Sequence, residues 1–240
     1  MFLPGFMQRG DAWSAVVERV SESYPSAPLD FASHSFRDRL AEIEAAAGEG
    51  TVLVGYSLGG RLALHAALRA PGRYAALVLV GTSAGIEADG ERRARRMADE
   101  SLAAWIERHT IEAVVERWER QPVFASQAAG VVAAQRHGRL AHEPAQLAAL
   151  LRSASRGAVA PVWERLSALD LPALALAGAL DEPYVRAAQR LAAALPRGRA
   201  RIVAGAGHAP QLERPADVAW ALVEFLDEHF GERAVVDRDA

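Results

Sequence analysis

Six residues, Gly55-Tyr56-Ser57-Leu58-Gly59-Gly60, constrain this chain more than any other stretch. An apolar run, Thr51-Val52-Leu53-Val54, leads into them, and a helical pattern from Arg61 to Leu68 follows. Strand, Gly-x-Ser-x-Gly and helix in succession are the layout of a nucleophile elbow. The turn is sharp enough to strain the serine backbone. Gly55 and Gly59 remove side chains where strand and helix approach each other closely. The Ser57 hydroxyl is then held at the strand's end, beside the positive end of a helix. Gly and Ser are common residues, so the motif alone also fits a plain turn; its strand-to-helix setting favours the elbow.

The rest of the chain alternates between apolar runs and helical periodicity. Met1-Phe2-Leu3 is apolar and enters a turn at Pro4-Gly5-Phe6. Asp11 is placed to cap a helix bearing Trp13, Val16, Val17 and Val20 on one face. Leu29-Asp30-Phe31 reads as a short strand, and Ser35 to Ala47 as a helix with Phe36, Leu40 and Ile43 as its stripe. After the elbow's helix, Ala75 to Val80 is a continuous apolar run, as expected of a strand buried on both faces. From Ala88 to about Gly157 no strand is evident, only Arg/Glu/Ala-rich helical stretches punctuated by Gly130, Gly138 and Pro144. The alternation resumes with a strand at 173–177, a helix from Glu182 to Leu195 and a strand from Arg199 to Val203. Pro215 then opens a last helix with Val218, Leu222, Phe225 and Leu226 on its buried face. The charged tail after Gly231 reads as frayed. Such alternation predicts a mostly parallel, doubly wound α/β sheet covered on both faces. Residues 1–85 and 158–240 would form its core, and 86–157 an inserted all-helical cap.

Composition narrows the function classes. The 240 residues, 51% hydrophobic, suffice for one large domain. A net charge of −3 and a sequence pI near 6.2 leave no basic footprint for nucleic acid. Without cysteine there is no disulfide framework and no thiolate metal site, which suits a cytoplasmic setting. No apolar run reaches the ~20 residues that a membrane span needs. Met1 to Gly5 lack the basic start and apolar core of a signal peptide.

A serine nucleophile needs a base, and the base an orienting acid. In sheets of this kind the three stand at carboxyl ends of strands, in chain order Ser, Asp or Glu, His. Asp181 follows the strand 173–177 in Gly178-Ala179-Leu180-Asp181, and His208 follows the strand ending at Val203 in Gly205-Ala206-Gly207-His208. Asp181 is equally suited to cap the helix starting at Glu182. Glu182 is a rival acid, with a longer side chain and a helical position. Asp170 precedes its strand, at the wrong end of the sheet. A lone histidine is more often structural than catalytic; the glycines before His208 and its place after a strand reverse that expectation. His34, His65, His109, His137, His142 and His229 have no such setting and read as structural. An oxyanion hole takes two backbone N–H groups. Leu58, after the nucleophile, supplies one, and Phe6 in Leu3-Pro4-Gly5-Phe6 the other, since Pro4 has no N–H.

With these residues the chain resembles the α/β-hydrolase superfamily over almost its whole length. It departs in having Pro4-Gly5 where His-Gly is usual, and in lacking two strands that usually precede this point. Gly55-Tyr56-Ser57-Leu58-Gly59-Gly60-Arg61 and Trp118-Glu119-Arg120-Gln121-Pro122-Val123-Phe124-Ala125-Ser126 look like the 2-succinyl-6-hydroxy-2,4-cyclohexadiene-1-carboxylate synthase family of menaquinone biosynthesis. So do the arginine-rich cap entry, Glu91 to Arg96, and the run Leu180 to Tyr184, although Pro183 stands where a basic residue is expected.

The resemblance implies a lyase that releases pyruvate from a cyclohexene carrying three carboxylates, without metal or cofactor. It implies Tyr56, Arg61, Arg95 and Trp118 as substrate-binding residues, arginine being the best fork for a carboxylate. As plain structure, Arg61 would be a helix-surface charge, Arg95 part of a solvated Arg/Glu face and Trp118 core. Two other functions fit the same residues: a carboxylic-ester or C–C bond hydrolase, and a non-catalytic ligand-binding protein on this fold.

Overall fold

The structure, a computed structural model, describes residues 1–236, the last five by backbone alone. Five strands form one sheet in the order β1 (Phe2–Leu3), β2 (Thr51–Tyr56), β3 (Tyr74–Val80), β4 (Pro172–Gly178) and β5 (Arg197–Val203). Every neighbouring pair is parallel. Parallel neighbours require crossovers, and helices supply them. α1 (Ser14–Val20) and α2 (Phe36–Ala46) lie between β1 and β2, and α3 (Leu58–Arg69) between β2 and β3. The chain from β3 to β4 carries α4 (Asp89–Ile106), α5 (Ile111–Glu119), α6 (Ala129–Leu140) and α7 (Pro144–Ala154), with a single turn at Pro122–Phe124. α8 (Glu182–Ala194) joins β4 to β5; the short α9 (Pro210–Glu213) and α10 (Pro215–Val236) complete the described chain. The tail expected to fray after Gly231 continues α10 to Val236, and residues 237–240 lie outside the described residues.

The two-residue period of the strands sorts the core into two layers. Leu53, Leu77, Leu79, Ala173 and Ala175 face one layer, where Ile43, Leu62 and Leu191 cover them. Val54, Ala76, Val78, Val80, Leu174 and Leu176 face the other, under Val16, Val20, Val218, Leu222 and Phe225. Each Val, Leu, Ile or Phe among them contributes about 1.5–3 kcal/mol on burial. Strands apolar on both faces, as β3 and β4 are, can exist only between two helical layers.

Two local expectations are corrected. Asp11 makes no side-chain cap bond; a 3-10 turn occupies Gly10–Trp13, and the α-helix begins only at Ser14. The burial pattern survives, with Trp13 fully buried against Phe2. Leu29-Asp30-Phe31 is not a strand, and only an isolated parallel bridge joins Phe2 to Pro28. The Leu29 N–H donates to the Phe2 carbonyl at 2.9 Å, and side chains take the backbone donors around the segment. The Gly10 N–H donates to Asp30 at 2.6 Å, and the N–H groups of Ala32 and Ser33 donate to the Glu42 carboxylate at 2.8 Å.

The inserted helices have a core of their own, built from Ala103, Ile106, Val114, Val115, Leu147, Ala148 and Leu151. Met7, from the loop after β1, is part of it. Met7 is 1% exposed and has φ 59, one of two positive values among non-glycine residues of the described chain. The other belongs to Ser57, at φ 51 and ψ −104.

At the elbow, backbone packs on backbone. A Cβ on Gly55 would overlap Gly59, and one on Gly59 would overlap the Leu3 carbonyl. One on Gly60 would lie 2.6 Å from Cγ2 of Thr82. Gly59→Ala should therefore cost more than about 3 kcal/mol or prevent folding. Gly48→Ala, where nothing lies within 4 Å, should change stability by less than about 1 kcal/mol. Urea denaturation of the two variants against the parent protein measures the contrast.

Candidate active site

Ser57 sits between β2 and α3, and both of its peptide groups are held. Its N–H donates to the Val80 carbonyl at 2.9 Å, and its carbonyl accepts from the Thr82 hydroxyl at 2.8 Å. The strained φ is thus fixed from the neighbouring strand rather than by α3 alone. The side chain opens into a cavity of about 290 Å3 that Leu58, Phe6, Tyr56 and His208 also line.

His208 follows β5 and is 7% exposed. Its Nδ1 lies 2.7 Å from Oδ2 of Asp181, which follows β4. Asp181 precedes α8 without capping it through its side chain, so its carboxylate is left for the imidazole. Aromatic rings hold His208 in place: Tyr184 at 4.4 Å, Tyr56 at 5.4 Å and Phe124 at 6.2 Å between centroids. Among the described residues the Ser57 hydroxyl and His208 line one cavity without a hydrogen bond between them. Such bonds are often long in unliganded enzymes and tighten with substrate. The N–H groups of Phe6 and Leu58 donate to no protein group, Leu58 being the first residue of α3, where the N–H has no helical partner.

The four expected binding residues all line this cavity. Tyr56 is buried, with its hydroxyl pKa raised well above the usual value, chiefly by burial. Trp118 is tilted against Phe6 and Phe124, at 5.2 and 5.5 Å between ring centroids. Arg95 is half exposed and shared with Asp99, to which its Nε donates at 2.8 Å. Arg61 differs from the helix-surface alternative: it is 8% exposed and its Nη1 is buried without a partner.

Two further arginines line the cavity that sequence patterns did not single out. Arg156, just past α7, donates from Nη1 to the Tyr184 hydroxyl at 3.0 Å and keeps a buried, unpaired Nε. Arg139 of α6 is paired with Glu119 at 3.1 Å. Their signal is weak, since both lie in a helical stretch rich in arginine. The glycine after Arg156 is the better clue. A Cβ on Gly157 would overlap the backbone of Arg96, so that segment must run hard against α4.

No Asp or Glu is among the cavity-lining residues. Asp99, Glu119 and Asp181 stand behind the arginines and the imidazole that they touch. The cavity wall therefore presents four guanidiniums and no carboxylate, which makes its field positive. Glu213 supports the histidine loop from outside. Its carboxylate accepts from the N–H groups of Gly207 at 2.8 Å and Ala209 at 3.1 Å, and from the hydroxyl of Ser126 at 3.0 Å. Among the described residues no group of three or more His, Cys, Asp or Glu side chains could hold a metal ion, and no helix is long and apolar enough to cross a membrane.

The chain belongs to the alpha/beta hydrolase family, whose description matches residues 2–222. It is 32% identical to the 2-succinyl-6-hydroxy-2,4-cyclohexadiene-1-carboxylate synthase of Klebsiella pneumoniae subsp. pneumoniae, across 94% of this chain and 92% of that one. Within the family it therefore stands among these synthases. A putative synthase of the same name from Bacillus subtilis is 39% identical over 177 residues, 72% of this chain and 65% of that one. The structure of MenH from S. aureus superimposes with a TM-score of 0.86 at 26% identity, across 95% of this chain and 92% of that one. A thermophilic esterase from Thermogutta terrifontis shares the fold, with a TM-score of 0.74 at 22% identity across 95% of this chain and 89% of that one.

Burial, aided by Arg156 and Arg95, pulls the Arg61 pKa down to about 10, against a smaller upward pull from Tyr184 and Asp99. The unfolded chain holds that proton to higher pH, so the charge works against folding at neutral pH. The cost recedes only as pH rises from about 10 toward the unfolded value. A depression of this size corresponds to about 3 kcal/mol. Arg61→Met should raise unfolding stability at pH 7 by about 1–3 kcal/mol while impairing function. Thermal melts of both proteins at pH 7 check the sign.

Proposed function

We propose that the protein is a cytoplasmic carbon–oxygen lyase. It eliminates pyruvate from 2-succinyl-5-enolpyruvyl-6-hydroxy-3-cyclohexene-1-carboxylate to give 2-succinyl-6-hydroxy-2,4-cyclohexadiene-1-carboxylate. The observation that carries this reading is the acid-free wall of four arginines around the Ser57 hydroxyl. That substrate has three carboxylates, on the ring, on the succinyl arm and on the enolpyruvyl group. A neutral ester would have no use for such a wall. The kinship with the synthases supports the same conclusion.

The chemistry follows from the substrate's connectivity. The ring hydrogen at C2 is acidified by the neighbouring succinyl ketone. Asp181 orients His208, and His208 draws the proton from Ser57, whose oxygen removes the C2 hydrogen. The C2–H electron pair becomes the C2=C3 bond, and the C3=C4 pair moves to C4=C5. The C5–O bond then breaks, releasing the enolate of pyruvate, which takes up a proton. Negative charge gathers on the ketone oxygen during this shift. The free N–H groups of Phe6 and Leu58 are the donors suited to it. Arg61 and Arg156, neither paired with a carboxylate, are the first anchors for the substrate's carboxylates. Arg95 and Arg139 add positive charge while sharing theirs with Asp99 and Glu119. Tyr56 and Trp118 complete the apolar walls. No acyl-enzyme is needed. We assign residues 1–85 and 158–240 to the core that carries the triad, and 86–157 to a cap that closes the pocket.

Supplied with the enolpyruvyl precursor, the protein should release pyruvate, measured with a coupled dehydrogenase. No release above background, with p-nitrophenyl esters cleaved well, would replace this reading with a hydrolase. Ser57→Ala should lower turnover by at least about 1,000-fold; unchanged turnover would remove Ser57 from the mechanism. No Ser57-dependent turnover of any substrate would leave only a binding protein. Arg61→Ala and Arg156→Ala should each lower kcat/KM for the trianion by about 10- to 1,000-fold and spare neutral esters.

A further inference from the structure

A second cavity, of about 130 Å3, lies beside the first and shares Gln8 and Leu150 with it. Its lining is that of no ordinary packing void. Two guanidiniums, Arg9 and Arg39, and two imidazoles, His34 and His142, face one acid, Asp30. Asp30 already accepts from the Gly10 N–H and lies 3.9 Å from Nε of Arg9. Glu42, on the same helix as Arg39, spends its carboxylate on the backbone of Ala32 and Ser33.

Arg39 is 5% exposed. Its Nε donates to the Ser33 carbonyl at 3.0 Å, and its guanidinium lies 4.6 Å from the centre of the Phe31 ring. Its Nη1 is buried with no partner, and so is Nε2 of His142. A buried polar atom left unpaired costs about 1–3 kcal/mol, and more when charged. Both residues line this small cavity, where an acceptor would pair with Nη1 of Arg39 and, in its Nε2–H tautomer, with His142. The cavity exceeds the ~30 Å3 share of one water, so it has room for a group of several atoms.

We propose that this cavity binds a small oxyanion, inorganic phosphate or the carboxylate of a small acid, between Arg39 and His142. Arg9 adds positive charge, and the His34 ring a further polar group, from the loops beside them. Burial first, then Arg39, Arg9 and His34, hold the His142 pKa down to about 4. A bound anion would cancel the positive neighbours and raise it. The site is independent of the reaction assigned to the larger pocket, and no residue of the triad lines it.

The test follows the imidazole resonances of His142 by NMR during titration with inorganic phosphate and, separately, with acetate at constant ionic strength. With the correct anion these signals should shift saturably, and the His142 pKa should climb from about 4 toward the usual ~6.5. Saturation by phosphate alone identifies an inorganic-oxyanion site, and saturation by acetate a carboxylate site; either supports the proposal. Arg9→Gln should weaken binding about 10-fold, and Arg39→Gln abolish it. Arg61→Ala, in the larger pocket, should leave the His142 titration unchanged. No saturable shift overturns the proposal, as does a shift lost in Arg61→Ala but kept in Arg9→Gln. Should Arg39→Gln not fold, thermal melts of His142→Asn decide: the anion should raise the Tm of the parent protein and not of this variant. An equal rise in both places the anion elsewhere.

Discussion

Contact between bare backbones at the elbow is the constraint on which the rest of the site depends. Gly55 lets α3 approach β2, Gly59 lets α3 lie against the Leu3 carbonyl, and Gly60 makes room for Thr82. The ends of β1 and β2 thereby meet α3 backbone to backbone, and from the loop after β3 only the Thr82 side chain enters. Ser57 occupies the one conformation that satisfies all three. Its φ of 51 costs about 1–3 kcal/mol for a residue with a Cβ. Bonds to Val80 and Thr82 from both of its peptide groups offset that cost. The strain has a geometric product: α3 starts immediately after Ser57, so the Leu58 N–H is orphaned at the cavity rather than consumed within a helix.

Charge follows a second rule, that carboxylates stay behind the groups they serve. Asp181 touches His208 and Asp99 touches Arg95, while Glu119 holds both Arg136 and Arg139. None of the three lines the cavity. Arg61 has no such partner, and its burial is unfavourable for folding. In a cavity of low dielectric the same burial strengthens attraction to an anion. A polar group that costs stability and is not paired within the protein is best explained by a ligand that pairs with it.

Much of this was legible in the sequence. Glycine spacing around Ser57, and Asp181 and His208 each just beyond a strand, report backbone geometry, which short-range patterns encode well. The central strands follow from apolar runs such as Ala75 to Val80, and the arginine-bearing β5 from the alternation of strands and helices. That Leu29 to Phe31 forms no strand was not legible, because Asp30 and Glu42 take the backbone donors of Gly10, Ala32 and Ser33. A side chain competing for an N–H leaves no trace in hydrophobic periodicity. Arg139 and Arg156 escaped for another reason. Helical periodicity marks which face of a helix is apolar, and on an arginine-rich insertion it does not tell an arginine facing solvent from one facing a cavity. Only the packing of α4 to α7 over the strand ends separates Arg156 from its exposed neighbours.

That packing does more than cover the site. Met7 directly follows Phe6 and buries its side chain among Ile106, Val114 and Leu151 of the inserted helices, despite a positive φ. Burial of a methionine contributes about 1.5–3 kcal/mol, similar in size to the strain it sustains. The N–H of Phe6 is therefore aimed by a side chain anchored outside the sheet. On the opposite side, Ser126 donates to Glu213, and the same carboxylate receives the N–H groups on either side of His208. The inserted helices thus hold both the loop after β1 and the loop after β5. Assembly of the site is for that reason a property of the insertion as much as of the sheet.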